Sequence, residues 1–341
     1  MSEPSVAVVI LNWNGKDLLS RFLPGILQSD YGQLEIIVGD NASTDNSVDF
    51  IREHYPAIRI IENDRNYGFA EGYNRIMAHV IADYYILLNS DVEVPANWIK
   101  PVIAAMEADA AIAAAQPKIK WFSDKSKFEH AGGAGGFMDR NAFPFCRGRI
   151  FDTLETDQGQ YEDQTAVFWA SGAAFFIKRK VWEESGGFDA DLFAHMEEID
   201  LCWRLQNMGY KIIYCPGAEV YHVGGGTLAT NSPYKVFLNF RNNLIIMQKN
   251  LPFWEAVWGL SVRMCIDFVA LLQFLLKGET KFAAAVNKAH YQFIRSTRKT
   301  ASKRKNNQIP YAKLTGVYPS SIVWNFFVKG IRYFSQLKDF R

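Results

Sequence analysis

The stretch YYILLNSDVEV, residues 84–94, passes from an unbroken apolar run straight into Asn89, Ser90 and Asp91, with Glu93 close behind. A short apolar run bounded by polar residues reads as a strand buried on both faces. Asn, Ser and Asp are turn residues, so one such ending is ordinary. Here the ending recurs. SVAVVILNW (5–13), LEIIVGD (34–40) and IRIIEN (58–63) are also short apolar runs, finishing at Asn12 to Gly15, Asp40 to Ala42 and Asn63 to Asn66. Helix-like segments separate them. These are KDLLSRFLPGILQS (16–29), which Pro24 is expected to bend or break; a helix capped by Ser43 or Thr44 and running to His54; one over 68–80; and one opening at Pro95. AIAAAQPKI (111–119) reads as a fifth strand. Strands alternating with helices imply a parallel sheet covered on both faces, with ligands bound outside the carboxyl ends of the strands. Four polar strand ends together predict a lined cleft.

Composition sets the bounds. With 341 residues, 49% of them hydrophobic and 14% aromatic, the chain can bury a large core. Formal net charge is +1, but from Lys277 onward there are 14 Lys and Arg against Glu279 and Asp339, a local balance of +12 that leaves −11 for residues 1–276. A basic tail on an acidic body predicts an anionic surface as the tail's partner, a membrane rather than a nucleic acid. Cys146, Cys202, Cys215 and Cys265 show no paired spacing, which fits a reducing compartment. No signal peptide is evident, so a cytoplasmic protein, peripheral on the inner face of the plasma membrane, is expected. Phe253 to Leu276 is interrupted by Glu255, Arg263 and Asp267, which with Gly259 recur every four residues. Such a stripe predicts an amphipathic helix, packed on the body or lying in a bilayer interface, and not a span. RSTRKTASKRK (295–305) reads as a loose basic segment.

The middle of the chain loosens over 120–164, with AGGAGG (131–136) too isolated to cradle a phosphate and a hairpin expected nearby. TAVFWASGAAFFIKR (165–179) reads as one long strand leading into a helix near Arg179. The first strand is not followed by G-x-G-x-x-G or a P-loop, which excludes the dinucleotide-binding and P-loop readings.

Seven segments, in order, carry a family resemblance: VILNWNG (9–15), VGDNASTDNS (38–47), NYGFAEGYN (66–74), LLNSDVEV (87–94), WASGAAFFIKR (169–179), GGFDADLFAHMEEIDLCWRLQNMGYKI (186–212) and VYHVGGGT (220–227). Over roughly residues 5–245 the chain resembles the family 2 glycosyltransferases of GT-A fold, in particular the rhamnosyltransferase-like branch that builds surface polysaccharides. The resemblance implies an α/β fold: a Rossmann-like, mostly parallel sheet with helices on both faces. Residues 1–245 would form the transferase domain, with 1–118 binding nucleotide-sugar and 119–245 forming the acceptor and catalytic half. The resemblance does not extend to the tail, where charge balance and helical pattern predict a helical, basic, membrane-associated region over 246–341. It further implies an inverting transfer from a UDP- or dTDP-sugar, dTDP-rhamnose among the candidates, to an acceptor hydroxyl; the basic, amphipathic tail suits an anionic bilayer and makes a lipid-linked glycan, polyprenyl-linked among the candidates, the expected acceptor. A nucleotide-sugar-binding module without catalysis is the alternative.

The resemblance also implies roles that suit the residue types. Asp40 would accept the imide N–H of uracil or thymine, supported by Asn41 and Asp45, because a carboxylate is a strong acceptor. Asn12, Asn66, Gly68, Asn74, Asn89, Ser90 and Arg241 (within NFRNN, 239–243) would contact the donor. Asp91 and His222 would hold Mg2+ or Mn2+, which offsets charge on the departing diphosphate. Asn89 stands where the family's D-x-D motif has its first carboxylate, and Glu93 is a weaker ligand candidate. Gly224 to Gly226 would offer backbone N–H groups to phosphate. The base that takes the acceptor proton falls on Glu198, in a Glu197-Glu198 pair where the family usually has Glu-Asp, with Glu197 or Asp200 as substitutes. Proximity to phosphates should raise the pKa of that base. Asp200 and Arg204 read otherwise as an exposed ion-pair ladder. Trp13 and Trp169 could stack on base or sugar, although aromatics beside strands are more often core. Arg75, Arg147 and Arg149 are assigned ordinary surface or loop roles.

Overall fold

The apolar runs pair as their pattern requires. The computed structural model describes residues 3–129, 132–224 and 232–338. In it, β1 (Val6–Asn12), β2 (Leu34–Asp40), β3 (Arg59–Glu62) and β4 (Tyr84–Leu88) form a parallel ladder in the order β4-β1-β2-β3. Along β1, Val6, Val8 and Ile10 enter one hydrophobic cluster, while Ala7 and Val9 enter the cluster on the opposite face. That is the signature of a sheet buried on both sides. Helices α1 (Lys16–Ile26) and α4 (Lys100–Glu107) cover the first face through Leu19, Leu23, Val102 and Met106. Helix α3 (Gly68–Met77) covers the second through Ala70, Tyr73 and Ile76.

Three local expectations are corrected. Pro24 lies in the last turn of α1, where the helix is already ending, and does not break it. Helix α2 (Ser47–His54) has Asn46 at its N-cap, with Oδ1 of the preceding Asp45 accepting from Ser47 N at 3.2 Å, and is not capped by Ser43 or Thr44. In α4 the proline of the first turn is Pro101; Pro95 lies in the preceding turn.

The ladder continues through β5 (Val92–Glu93), β6 (Ile112–Trp121), β7 (Asp124–Phe128), β12 (Thr165–Val167), β13 (Ala174–Lys178) and β14 (Lys211–His222), with β13 antiparallel to β4 and β6. The expected long strand over 165–179 is two strands, because Trp169 turns away to bond the second sheet, its Nε1 donating to Phe137 O at 3.1 Å. That sheet comprises β8 (Gly136–Asp139), β9 (Pro144–Cys146), β10 (Arg149–Ile150) and β11 (Thr153–Leu154). It is completed by β15 (Val317–Tyr318), parallel to β8 and contributed from far along the chain. Helices α5 (Arg179–Ser185) and α6 (Glu197–Asn207) precede β14.

The remaining helices are α7 (Pro233–Asn250), α8 (Phe253–Leu276), α9 (Thr280–Ser302) and α10 (Ile322–Phe327). Helix α7 runs through the boundary expected near 245, and Tyr311, Leu314, Tyr318, Ile322 and Phe326 share one hydrophobic cluster with β1 and α3. Asp139 fastens this return. Its Oδ2 accepts from Ile322 N at 2.8 Å, its carbonyl accepts from Tyr311 OH at 2.8 Å, and burial pushes its carboxyl up to about 6. The basic segment 295–305 is not loose: α9 extends to Ser302, Lys299 and Lys303 each pair with Asp191 at 2.6 Å, and Arg304 donates to Leu251 O at 2.7 Å. Helix α8 presents its polar stripe inward. Arg263 and Asp267 are buried, paired at 2.7 Å, with His290 3.1 Å from Asp267. None of the four cysteines is paired.

Candidate active site

The strand ending that opened the sequence is shaped by β5. Val92 pairs with His222 and Glu93 with Tyr221, and Val223 N donates to Asp91 O at 3.0 Å. Asp91 is thereby set against the end of β14, its Oδ1 lying 3.1 Å from His222 Nε2. Asn89 Nδ2 is 3.4 Å from the same nitrogen. Glu93 pairs instead with Lys125 at the surface, so its candidacy as a ligand is corrected: the strand is only Val92–Glu93, Asp91 lies outside it, and the period of two that would put both carboxylates on one face does not reach back to Asp91.

His222 Nδ1 lies 3.3 Å from Glu129 Oε1. Burial works against a charged imidazole, but Glu129 and Asp91 outweigh it and push the pKa up to about 10. Glu129 was missed by reading the sequence. It follows the short strand β7 and reaches His222 because its backbone N–H bonds Ile119 O at 3.0 Å, beside an irregularity in the β6–β7 ladder.

Donor atoms about 2.1 Å from an octahedral cation and at right angles stand about 3 Å apart, which the Asp91–His222 separation matches. Glu129 occupies the place of the outer carboxylate that fixes a ligand histidine's tautomer. The residues therefore fit a divalent cation. Among the described residues no group of three or more His, Cys, Asp or Glu side chains could hold one, so Asp91 and His222 would hold it as a pair. Gly224 follows closely, a Cβ there standing 3.0 Å from Glu129 Oε1, whereas Gly225 and Gly226 lie outside the described residues.

The neighbouring strand ends form a continuous polar floor. The β1–β2 register places Asn12 beside Asp40. Asn12 Nδ2 donates to Asp40 Oδ1 at 3.0 Å and to Ser43 Oγ at 3.0 Å, and Ser43 N donates to Asp40 Oδ2 at 2.8 Å. Each carboxylate oxygen keeps acceptor capacity for a further donor. Asn12 Oδ1 is buried without a partner, and a Cβ on Gly15 would stand 2.5 Å from it and 3.7 Å from Ser90 Oγ, so the β1 and β4 ends meet here. Trp13 is exposed at this rim.

Three expected donor contacts are occupied internally. Asn41 donates to Asn66 Oδ1 and Gly68 O, each at 2.9 Å, and accepts from Asn63 and Tyr67, pinning the loop into α3. Asn74 exchanges two 2.9 Å hydrogen bonds with the backbone of Phe188. Arg241 donates to Asp191 O and Leu192 O, both at 3.1 Å. Gly68, at φ 77°, permits a close approach: a Cβ would stand 2.5 Å from the Phe193 ring.

Those contacts converge on the segment before α6. Phe193, His195 and Met196 have φ of 65°, 67° and 73°, a conformation that costs non-glycine residues free energy and needs external support. Asn242 supplies it by donating to Leu192 O, Ala194 O and His195 O at 2.9, 3.0 and 2.7 Å, while Phe69 N donates to Phe193 O at 2.7 Å. Asp200 is fully buried rather than on an exposed ladder, held by Arg204 at 2.9 Å, Lys249 at 2.7 Å and Asn250 at 2.9 Å, and it is not available as a base.

The acidic pair opens α6. Glu197 is buried, whereas Glu198 is half-buried and lines a cavity of about 230 Å³ with Phe145, Arg149, Trp169, His195 and Ile322. Oε2 of each glutamate has no hydrogen-bond partner. Burial pushes Glu198 up to about 7, against the hydrogen bond it receives from Glu197, and burial together with Glu198 raises Glu197 well above the carboxylate range. Burial thus favours the protonated form of both carboxyls, and more strongly that of Glu197. The raised pKa of Glu198 was expected from phosphates; its cause here is desolvation. Asp91 and His222 do not line this cavity, but Cys146 links the two regions: its thiol, raised to about 12 by burial, feels both Glu129 and Glu198.

The description Glycosyl transferase family 2 matches residues 7–185. The chain is 26% identical to an N-acetylglucosaminyl-diphospho-decaprenol L-rhamnosyltransferase of Mycobacterium tuberculosis, covering 63% of this chain and 75% of the relative. It is 26% identical to the rhamnosyltransferase WbbL of Escherichia coli, covering 64% and 83%. Among solved structures, a Pyrobaculum calidifontis mannosyltransferase in complex with GDP-Man and Mn2+ superposes with TM-score 0.53 at 17% identity, over 86% of this chain and 88% of that one.

Proposed function

The chain belongs to glycosyl transferase family 2 and is a glycosyltransferase of GT-A fold, and on that premise we propose that it is an inverting, divalent-metal-dependent transferase. Its donor is a UDP- or dTDP-sugar, with dTDP-rhamnose the first candidate given the two rhamnosyltransferase relatives. Its acceptor is a lipid-linked glycan. The observation that carries the reading is Glu198, a carboxylate at the wall of a cavity with Oε2 free of any hydrogen-bond partner and a pKa raised to about 7. A binding module without catalysis has no use for such a group.

In this reading the nucleotide lies along the strand ends, with Asp40 accepting from the base and Asn12, Asn89 and Ser90 beneath the sugar and diphosphate. Asp91 and His222 hold Mg2+ or Mn2+, which neutralises charge building on the leaving diphosphate. Glu198 accepts the proton of the acceptor hydroxyl as that oxygen bonds the anomeric carbon from the face opposite the breaking bond to the diphosphate. Neutral Glu197 donates to Glu198 and keeps it ionisable near neutral pH. Asn242 and Arg241 hold the backbone that sets the pair in place.

The protein works at the cytoplasmic face of the plasma membrane, and α8 supplies the contact. With the polar stripe turned inward, Trp254, Trp258 and Leu276 are 77%, 74% and 89% exposed. Such a face suits the interfacial zone of a bilayer. Helix α8 is long and apolar enough to cross a membrane, but buried Arg263 and Asp267 fasten its middle to the body through Asn243 and His290.

Purified protein with Mn2+, a panel of UDP- and dTDP-sugars and a synthetic glycosyl-diphosphoryl-alkyl acceptor should give one extended product by mass spectrometry, abolished by EDTA and by Asp91→Ala. Folded protein that transfers from none of the donors refutes the proposal.

A further inference from the structure

We propose that α10 and the residues after it form a second membrane-docking surface, distinct from α8, which seats the rim of the Glu198 cavity against an anionic bilayer. This rests on the lipid-linked acceptor of the preceding section and names where that lipid meets the protein.

Helix α10 has two faces with different tasks. Ile322 and Phe326 are buried, and Ile322 lines the cavity. On the outside Trp324, Phe327 and Val328 are each more than half exposed, and exposed Tyr333 follows. Large apolar side chains gathered at a surface mark a place that meets a partner.

Charge selects the partner. From Ile309 to Lys338 the chain carries Lys313, Lys329, Arg332 and Lys338 and no acidic residue. All four are exposed, and among the described residues none has a carboxylate partner. The Arg332 guanidinium lies 4.0 Å over the Phe326 ring, which keeps it beside the apolar cluster. Asp152, next to Phe151 on the adjoining loop, is an exposed acid and leaves the patch basic. Aromatic rings among unpaired cations suit an anionic membrane interface, where rings sit at headgroup depth and Lys and Arg meet lipid phosphates. A second copy of the chain docked patch to patch would instead set these cations against their own kind.

Both docking elements share a foundation, the turn between β8 and β9. Asp139 Oδ2 accepts from Ile322 N at 2.8 Å, and Ala142 O accepts from Arg263 of α8 at 3.4 Å. The Arg263 guanidinium also lies 3.7 Å over the Phe143 ring. Tyr311 spans the pair, its N–H donating to Glu255 Oε2 at 2.9 Å and its hydroxyl to Asp139 O at 2.8 Å. Helices α8 and α10 are thus anchored at one turn, where a single bilayer can meet both.

The cavity wall continues into this surface. Phe151, a lining residue, packs on Phe326 and on exposed Phe327, ring centroids 4.8 and 5.0 Å apart. An acceptor's hydrocarbon chain can therefore stay in lipid while its sugar reaches Glu198.

The test uses the full chain without substrate, on vesicles of phosphatidylcholine with phosphatidylglycerol and on vesicles of phosphatidylcholine alone. Cys265→Ser with Val328→Cys leaves one exposed thiol, on α10, for an environment-sensitive fluorophore. Anionic vesicles should shift its emission to the blue, and brominated acyl chains should quench it. Trp324→Ser with Val328→Ser, and separately Lys329→Glu with Arg332→Glu, should each weaken vesicle binding at least about tenfold and leave the melting temperature unchanged. Emission that does not move while the chain floats with vesicles gives the membrane to α8 alone and overturns the proposal. So do equal affinity for neutral vesicles, an absence of vesicle binding, and a concentration-dependent shift without vesicles, the mark of a second copy. Insertion without sugar transfer would count against the transferase reading and leave this surface standing; transfer without insertion would overturn this surface alone.

Discussion

Replacing Glu198 by Gln keeps its volume and removes its ability to take a proton, so turnover should fall by about 10²–10⁴-fold. Glu197→Gln should cost less than about tenfold, because Glu197 already carries the proton and a glutamine amide can still donate to Glu198. The wild-type pH profile follows from the same assignment. A base acts when ionised, so a pKa raised to about 7 moves the loss of activity upward in pH. Below 7, kcat/KM should drop about tenfold per pH unit, leaving about 1% at pH 5, and it should level off above 8. The groups around Glu198 do not imitate this limb. Burial, with a smaller contribution from Lys235, lowers His195 to about 4; burial raises Cys146 to about 12 and raises Cys202; and Asp200 is lowered, Lys249 and Arg204 outweighing its burial. Glu197→Leu removes the donated hydrogen bond and should shift the limb to higher pH. Initial rates from pH 5 to 9 at fixed Mn2+ provide the assay, with melting temperatures checked at each pH. A flat profile, or Glu197→Gln as damaging as Glu198→Gln, refutes the assignment.

Glu129→Gln should weaken Mn2+ binding by about 10–100-fold in calorimetry with UDP present, since an outer carboxylate orients a ligand histidine. Asp267→Ala strands Arg263 and His290 beneath α8 and should destabilise the fold by about 3–5 kcal/mol, read in urea melts. Trp254→Ser with Trp258→Ser should abolish flotation with anionic liposomes and leave the melting temperature unchanged; retained flotation would rule out α8 as the membrane contact.

What the sequence announced was whatever is written locally. Near-continuous apolar runs ending in Asn12, Asp40 and Asn89 announce a parallel sheet, because both faces are buried and turns need short polar residues. What it concealed depends on distant pairing. Glu129 meets His222 through a ladder irregularity that has no local mark. The stripe on α8 was plain, but a period shows that two faces differ, not which one meets the body; buried Asp267 decides that. Asn41, Asn74 and Arg241 have the right chemistry for a nucleotide, yet each is spent on backbone that holds the site together. The basic segment 295–305 looked solvated because Asp189 and Asp191, which receive Lys299 and Lys303, lie a hundred residues earlier.

The return of β15 to β8 also sets a timetable. Residues 317–322 leave the ribosome long after the strands they close over, and Ile322 is part of the cavity wall. A nascent chain could therefore assemble its nucleotide floor while its acceptor chamber still gapes. The cavity that holds Glu198 gains its last wall only when residue 322 has been made.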